Sequence, residues 1–143
     1  MLIKQLSIFV ENKKGRMADI TRTLAAHGID IRALSLADTT DYGILRLIVD
    51  DPKKAVLVLK EEHMTVALTD VIAISVPDAP GGLSHAVEVL AAEGIDIEYM
   101  YASLGAKGDL AFVILRVEDN EKAVSLLEAG GISLMNAEEL YHI

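Results

Sequence analysis

The sequence contains no cysteine and no tryptophan, and it has only three prolines among 143 residues. Without cysteine the chain forms no disulfide, no thiolate nucleophile and no cysteine-ligated zinc site. Aromatic residues make up 4% of the chain, too few for the stacked aromatic platforms that bind single-stranded nucleic acid. These absences remove several common classes of enzyme and binding protein.

Basic residues are also scarce, because 13 lysines and arginines face 22 acidic residues and give a net charge of −9. The longest basic cluster is Lys13-Lys14-Gly15-Arg16. Nucleic acids and anionic membranes both attract basic surfaces, so we expect neither as a partner. No apolar run approaches the roughly 20 residues that span a bilayer, and Lys4 interrupts the apolar start too early for a signal peptide. We therefore expect a cytoplasmic globular protein.

An eight-residue segment occurs twice with one difference, as LAAHGIDI (Leu24–Ile31) and LAAEGIDI (Leu90–Ile97). At the same offset Gly15 corresponds to Gly81, and after a two-residue shift VDDPKKAVLVL corresponds to VEDNEKAVSLL. Self-similarity over nearly the whole chain indicates a tandem duplication, in which each copy is a folding unit. The sequence predicts one repeat over 1–69 and a second over 70–143.

Each repeat reads as strand, helix, strand, strand, helix, strand. In the first repeat, LSIFV (Leu6–Val10) alternates as a half-buried strand, and Met17, Ile20 and Leu24 follow at helical spacing. Asp51-Pro52 is a good helix start, while Gly28, Gly94 and Gly130-Gly131 are placed to end helices. The second repeat gives the same order, and Asn136 is placed to begin one more helical turn.

This order predicts an α+β protein of two ferredoxin-like βαββαβ repeats, each an antiparallel sheet with both helices on one face. The second strand of such a unit lies at an edge, and uncovered edges are pairing hazards. We expect the two repeats to pair side by side, strand 29–37 against strand 95–103, giving one eight-stranded sheet.

The turn between the first strand and first helix of each repeat carries the candidate binding chemistry. Gly15 and Gly81 let the backbone approach a ligand closely, and free N–H groups at the following helix start favour a carboxylate. The same turns also need glycine and proline for geometric reasons alone.

The residues Asp78-x-Pro80-Gly81-x-Leu83, together with Gly94-Ile95-Asp96-Ile97, resemble the ACT domain. The first repeat matches a looser form, Asn12-x-x-Gly15-x-Met17, with Lys14 in place of the proline. The resemblance covers both halves, so the whole chain resembles a protein made only of two ACT domains. ACT domains are regulatory modules of ferredoxin-like fold that bind amino acids, usually at the interface of two domains.

The resemblance implies a ligand-binding site formed by two loops and by further contacts from the second strands. Its residues would be Asn12, Lys13, Gly15, Arg16, Met17, Asp30 and Ile31 in the first repeat, and Asp78, Ala79, Pro80, Gly81, Gly82, Leu83, Asp96 and Ile97 in the second. Asparagine and aspartate side chains would receive the ligand's ammonium group. Because Lys14 replaces the proline, the two sites need not be equally occupied.

Other candidates are weaker. Asp30 and Asp96 are common turn formers, His85 reads as a solvated histidine, and Tyr99 with Tyr101 reads as packing. The four histidines lack metal-ligand spacing, and no serine triad, nucleophile elbow or phosphate loop is present. We therefore expect no catalytic residues, no metal site and no cofactor.

The sequence favours a stand-alone tandem ACT protein that binds a free amino acid at the seam of its repeats and forms a homodimer. Ligand binding would shift the balance between two inter-repeat arrangements, and a separate enzyme partner would receive that signal. The main alternative is an accessory regulatory subunit of a biosynthetic enzyme, such as the small subunit of acetolactate synthase. A small enzyme is the third class, and the sequence leaves the identity of the amino acid open.

Overall fold

The computed structural model describes residues 2–11, 13–38 and 41–143. Over these residues the chain forms seven strands and five helices. The strands are β1 (Ile3–Glu11), β2 (Ile31–Asp38), β3 (Tyr42–Val49), β4 (Thr65–Pro77), β5 (Ile97–Ala102), β6 (Leu110–Val117) and β7 (Ser133–Leu134). The helices are α1 (Arg16–Ala26), α2 (Pro52–Glu61), α3 (Gly82–Ala92), α4 (Asn120–Ala129) and α5 (Ala137–Tyr141). No helix of the described ranges is long and apolar enough to cross a membrane.

The first compact unit is Lys4–Thr69. Its strands follow the order β2-β3-β1-β4, and β3 pairs antiparallel with both β1 and β2. Alternate residues of β1, including Leu6 and Ile8, pack with α1 and α2 in one apolar core. The predicted ferredoxin-like unit is therefore present, with its helices on one side of the sheet.

The second unit contains Asp70–Ile143 together with the described residues before Lys4. Here β4 pairs with β6 and with the short β7, and β6 pairs with β5, all antiparallel. Residues Ile72 and Ile74 of β4 form a second core with Leu90 of α3 and Leu127 of α4. This unit repeats the architecture of the first.

The helix signals predicted from the sequence act as expected. Asp51 and Asp119 are the N-caps of α2 and α4, and each carboxylate accepts a hydrogen bond from a backbone N–H three residues on, at 3.1 Å. The Asn136 carboxamide oxygen likewise accepts from the Glu139 N–H at 2.8 Å, which confirms the start of α5. Gly28 and Gly94 follow α1 and α3 in the left-handed region, with φ of 69° and 72°.

The described residues form seven strands, one fewer than the eight expected. The segment Thr65–Pro77 is one continuous strand, so the last strand of the first repeat and the first strand of the second are the same element, β4. Its first 12 residues contain neither glycine nor proline, so nothing turns the chain near Thr69. The described pairings join β2 to β3 and β5 to β6, and the predicted pairing of 29–37 with 95–103 is not among them.

Several element ends also differ from expectation. Strand β5 covers Ile97–Ala102 rather than the expected 95–103, and β7 contains only Ser133 and Leu134. Strand β2 begins at Ile31 because the backbone of Asp30 is occupied elsewhere, its N–H donating to the Asp50 carboxylate at 2.9 Å. Residues 39–40, between β2 and β3, lie outside the described residues.

Candidate functional site

The two strand–helix loops have the same backbone design. Gly15 precedes α1 with φ of 84°, and Gly81 precedes α3 with φ of 87°. Both angles lie in the left-handed region that glycine adopts without strain. Neither N-cap residue caps its helix with a side chain, and the first helical N–H groups, those of Arg16 and Gly82, donate to the carbonyls of Lys13 and Ala79. Asn12, predicted to contact the ligand, lies outside the described residues.

In the second repeat the loop folds tightly against the end of β4. The Asp78 N–H donates to the Asp109 carbonyl at 2.7 Å, and the Gly82 N–H donates to the Ala79 carbonyl at 3.0 Å. A Cβ atom on Gly82 would overlap the carbonyl oxygen of Pro77. Position 82 therefore requires glycine because α3 begins in direct contact with the preceding strand.

A cavity of about 520 Å³ adjoins this loop. Pro80, Gly81 and Gly82 form one side of it, and Gly131 and Ser133, at the turn between α4 and β7, form another. His85 of α3 also lines the cavity, and its Nε2 lies 3.0 Å from the Gly130 carbonyl oxygen. The predicted residues Ala79, Pro80, Gly81 and Gly82 are thus brought to one cavity.

The loop of the first repeat has a different chemistry. Lys13 pairs with Glu11, with 2.9 Å between Nζ and Oε2. The hydrogen bond from Lys13, its charge and the charge of Arg16 together hold the pKa of the Glu11 carboxyl below its usual range. A cavity of about 510 Å³ is lined by Lys13, Gly15, Arg16 and Met17 of this loop and by Asp38 of β2. This cavity carries charges of both signs.

The residues predicted from the second strands do not join the loop cavities of their own repeats. The Asp30 carboxylate accepts a hydrogen bond from Arg32 at 2.8 Å. Asp96 lines a separate acidic groove that also includes Glu118 and Asp119. Ile31 and Ile97 are partly buried against the cores of their own units. Within each unit, the predicted aspartate and isoleucine at the start of the second strand therefore lie away from the loop cavity.

The sequence did not point to the other side of the cavity in the second repeat. Ser75, Leu110, Gly131, Ile132 and Ser133 line it but come from three distant segments. Gly131 reads in the sequence only as a helix stop, and the serines carry no motif. No pattern of spacing would have found them, since the fold alone brings them to the loop.

Three further candidates, Leu83, Tyr99 and Tyr101, lie outside the two loop cavities. Tyr99 and Tyr101 stack with ring centroids 6.5 Å apart. Leu83, predicted to contact the ligand, is 40% exposed on the first turn of α3. Among the described residues, no group of three or more histidine, aspartate or glutamate side chains is arranged to hold a metal ion.

The family model described as an ACT domain pair matches residues 1–143. The match extends over both repeats and indicates no catalytic family. No curated protein matches the sequence at a significant level.

Solved structures show the same fold. A protein from Bacteroides thetaiotaomicron is 43% identical, with a TM-score of 0.93 over 100% of this chain and 98% of that one. The regulatory subunit of aspartate kinase from Thermus flavus is 17% identical, with a TM-score of 0.63 over 90% of each chain. The ligand-free regulatory subunit from Thermus thermophilus is 16% identical, with a TM-score of 0.61 over 89% of this chain and 91% of that one. The last two share the fold alone.

Proposed function

The chain belongs to the ACT domain pair family, and from this membership we propose that it is a regulatory protein that binds a free amino acid. Each repeat, 1–69 and 70–143, serves as one regulatory domain. Ligand binding stabilises one arrangement of the protein over another, and a separate enzyme responds to that shift. The chain itself carries out no reaction in this proposal.

One observation carries the proposal. Both repeats place a left-handed glycine, Gly15 or Gly81, between a strand and a helix whose first turn has no side-chain cap. In both repeats that loop borders a cavity of roughly 500 Å³, a size within the usual range for small-molecule sites. Uncapped N–H groups suit a carboxylate, which every free amino acid carries.

The proposed ligand contacts remain those of the two loops and the second strands. In the first repeat they are Asn12, Lys13, Gly15, Arg16, Met17, Asp30 and Ile31. In the second they are Asp78, Ala79, Pro80, Gly81, Gly82, Leu83, Asp96 and Ile97. That the two repeats share one ligand is a prediction from the family resemblance.

A second candidate is an accessory regulatory subunit of an amino-acid biosynthetic enzyme. Its support is that two structures with this fold, matched over about nine-tenths of each chain, are regulatory subunits of aspartate kinase. In that case the chain would co-purify with a large enzyme subunit. The tagged chain would be isolated with and without the amino acid that binds. Co-purification of a large enzyme subunit would favour the second candidate, and its absence would favour the first.

The test of the proposal is a thermal-shift screen of the purified protein against the twenty amino acids at millimolar concentration. A ligand at about 100 times its dissociation constant adds roughly 2.7 kcal/mol to the free energy of unfolding. We expect one amino acid, or a chemically similar group, to raise the melting temperature. A flat response to all twenty would contradict the proposal.

Asp78→Ala and Asp109→Ala form a matched pair of variants. Both remove one exposed aspartate from the second unit, but only Asp78 lies in the proposed loop. We expect Asp78→Ala to reduce the ligand-induced shift and Asp109→Ala to preserve it. Equal effects would remove Asp78 from the binding site.

A further inference from the structure

The cavity beside the second loop has a counterpart in the first repeat, but the two differ greatly in size. The counterpart lies between Arg16 and His63–Thr65, which correspond in the duplication to Gly82 and Gly131–Ser133. It measures about 190 Å³, against about 520 Å³ in the second repeat. The cavity at this place in the fold is therefore much smaller in the first repeat than in the second.

Side-chain size at equivalent positions explains this difference. Arg16 stands where the second repeat has Gly82, and His63 stands where it has Gly131. Phe9 and Tyr42 occupy the places of Ser75 and Leu110, and their rings contact each other at a centroid distance of 5.6 Å. Larger side chains at all four positions narrow the first cavity.

The backbone conformation at His63 also differs from what its residue type favours. It is the one described residue other than glycine with a positive φ, at 62°, and it follows α2 as Gly131 follows α4 with φ of 79°. A side chain at such a position is strained, so glycine would be the easier choice. The first repeat nevertheless carries an imidazole there, lining the reduced cavity.

We propose that the cavity between Gly82 and Gly131 binds one amino acid with an uncharged, apolar side chain, and that this class of ligand has no second site in the chain. The inference rests on the proposed function and specifies its site, its number per chain and its ligand class. Its counterpart in the first repeat is much smaller, and the other cavity of the first repeat is lined by the charged residues Lys13, Arg16 and Asp38, so we expect neither to bind this ligand.

The lining of the cavity supplies the ligand class. Among the described residues that line it are apolar groups such as Val76, Pro80, Leu110 and Ile132, but no lysine, arginine, aspartate or glutamate. A charged ligand side chain would lose hydration there without gaining an opposite charge, whereas an apolar one gains by leaving water. Ser75, Ser133 and His85 provide polar groups for the ammonium and carboxylate of the amino acid.

Isothermal titration of the purified protein tests the proposal directly. The probes are L-leucine, L-isoleucine, L-methionine and L-phenylalanine, compared with L-aspartate and L-lysine. We expect at least one apolar amino acid to bind with one site per chain, and the two charged amino acids to bind about tenfold more weakly or not at all.

Gly131→His introduces into the second repeat the residue that the first repeat has at this place. A Cβ on Gly131 meets no atom within 4 Å, so there is room for the added side chain beside the cavity that Gly131 lines. We expect the dissociation constant to rise about tenfold or more. Leu110→Tyr, which copies Tyr42 at an exposed position, is a second variant that narrows the cavity if Gly131→His folds poorly.

Gly94→His is the matched control. Gly94 follows α3 with φ of 72°, its Cβ would also meet no atom within 4 Å, and it lies outside the cavity. It imposes the same backbone strain in the same repeat, so we expect affinity within about twofold of the parent chain.

Each outcome is decisive. Tight binding of an apolar amino acid, one per chain and weakened by Gly131→His but not by Gly94→His, supports the inference. Two equivalent sites per chain, a preference for a charged amino acid, or indifference to both cavity variants would overturn it while leaving the proposed function intact. Absence of binding by all twenty amino acids would overturn both.

Discussion

Gly82 and Arg16 occupy equivalent positions in the two repeats, and they give the two strand–helix loops different properties. At position 82 the backbone of α3 lies directly against the Pro77 carbonyl, leaving no space for a side chain. At position 16 the first repeat accommodates a full arginine, half-buried beside the loop. The loop of the second repeat is therefore closely packed at Gly82, whereas the loop of the first repeat carries a charge at Arg16.

We expect Gly82→Ala to lower the free energy of unfolding by about 2 kcal/mol, because the added methyl group must displace backbone atoms. The matched change Arg16→Ala removes atoms from a position that already has a Cβ, and should alter stability by no more than about 0.5 kcal/mol. Urea denaturation measures both. If Gly82→Ala and Arg16→Ala lowered stability equally, the backbone at Pro77 would be able to shift at little cost, which would contradict the prediction.

Glu11 offers a second residue-scale prediction. Its lowered pKa depends first on the hydrogen bond from Lys13 and then on the charges of Lys13 and Arg16. Lys13→Gln should therefore raise the pKa of Glu11 toward its ordinary value, while Lys14→Gln should leave it nearly unchanged. NMR titration of the side-chain carboxyl carbon measures this pKa, and a larger effect of Lys14→Gln would contradict the assignment.

The sign of the corresponding pH dependence follows from the direction of the shift. A carboxyl with a lowered pKa in the folded state stabilises the protein above its unfolded pKa, and that contribution disappears as pH falls through the folded pKa. Glu11 and Lys13 are both well exposed, so solvent screens their pairing and the effect on stability is small.

At the scale of elements, the chain relies on short polar signals at helix ends. Helices α2 and α4 begin with an aspartate whose carboxylate accepts a backbone N–H, and α5 begins with an asparagine that does the same. Such caps satisfy groups that the helix itself leaves unpaired. Asp51 and Asp119 are equivalent N-cap residues in the two repeats.

We expect Asp119→Ala to lower the free energy of unfolding by about 1 kcal/mol, since the Lys122 N–H loses its acceptor. Asp119→Asn retains a capping oxygen and should remain within a few tenths of a kcal/mol of the parent. Urea denaturation monitored by circular dichroism compares the two. If asparagine destabilised the chain as much as alanine, charge rather than capping would explain the loss.

At the scale of the whole molecule, we predict a homodimer. Strands β2 and β5 each have one neighbour among the described strands, and an edge strand presents unpaired N–H and C=O groups to a second chain. Sedimentation velocity at micromolar concentration should give twice the mass of the chain. A monomer under these conditions would contradict the prediction, and any ligand would then bind to one chain alone.

Ala37→Lys and Ala25→Lys refine the homodimer test. Both positions are exposed and both changes add one positive charge, but Ala37 lies on the edge strand β2 and Ala25 on α1. A lysine on an edge strand opposes pairing, so Ala37→Lys should weaken the dimer about tenfold and Ala25→Lys should not. Equal effects would exclude β2 as the paired edge.

Local sequence determines most of the secondary structure of this protein. Alternating apolar residues determine the strands, Asp51 and Asp119 determine helix starts, and Gly28 and Gly94 determine helix ends, because each acts through atoms a few residues away. The duplicated phrase predicts two like units, and the loop motif predicts the ACT family. These signals depend on period, capping and backbone freedom, which need no tertiary information.

Tertiary structure decided what depends on distant segments. The continuous course of β4 replaced two expected strands by one, because extended residues around Thr69 gain by pairing on both sides of the expected boundary. Gly82 and Gly131 come from distant segments and line the same open cavity, whereas Arg16 and His63 line the smaller cavity at the equivalent place in the first repeat. A sequence shows which residues are small, but packing alone decides which small residues face each other.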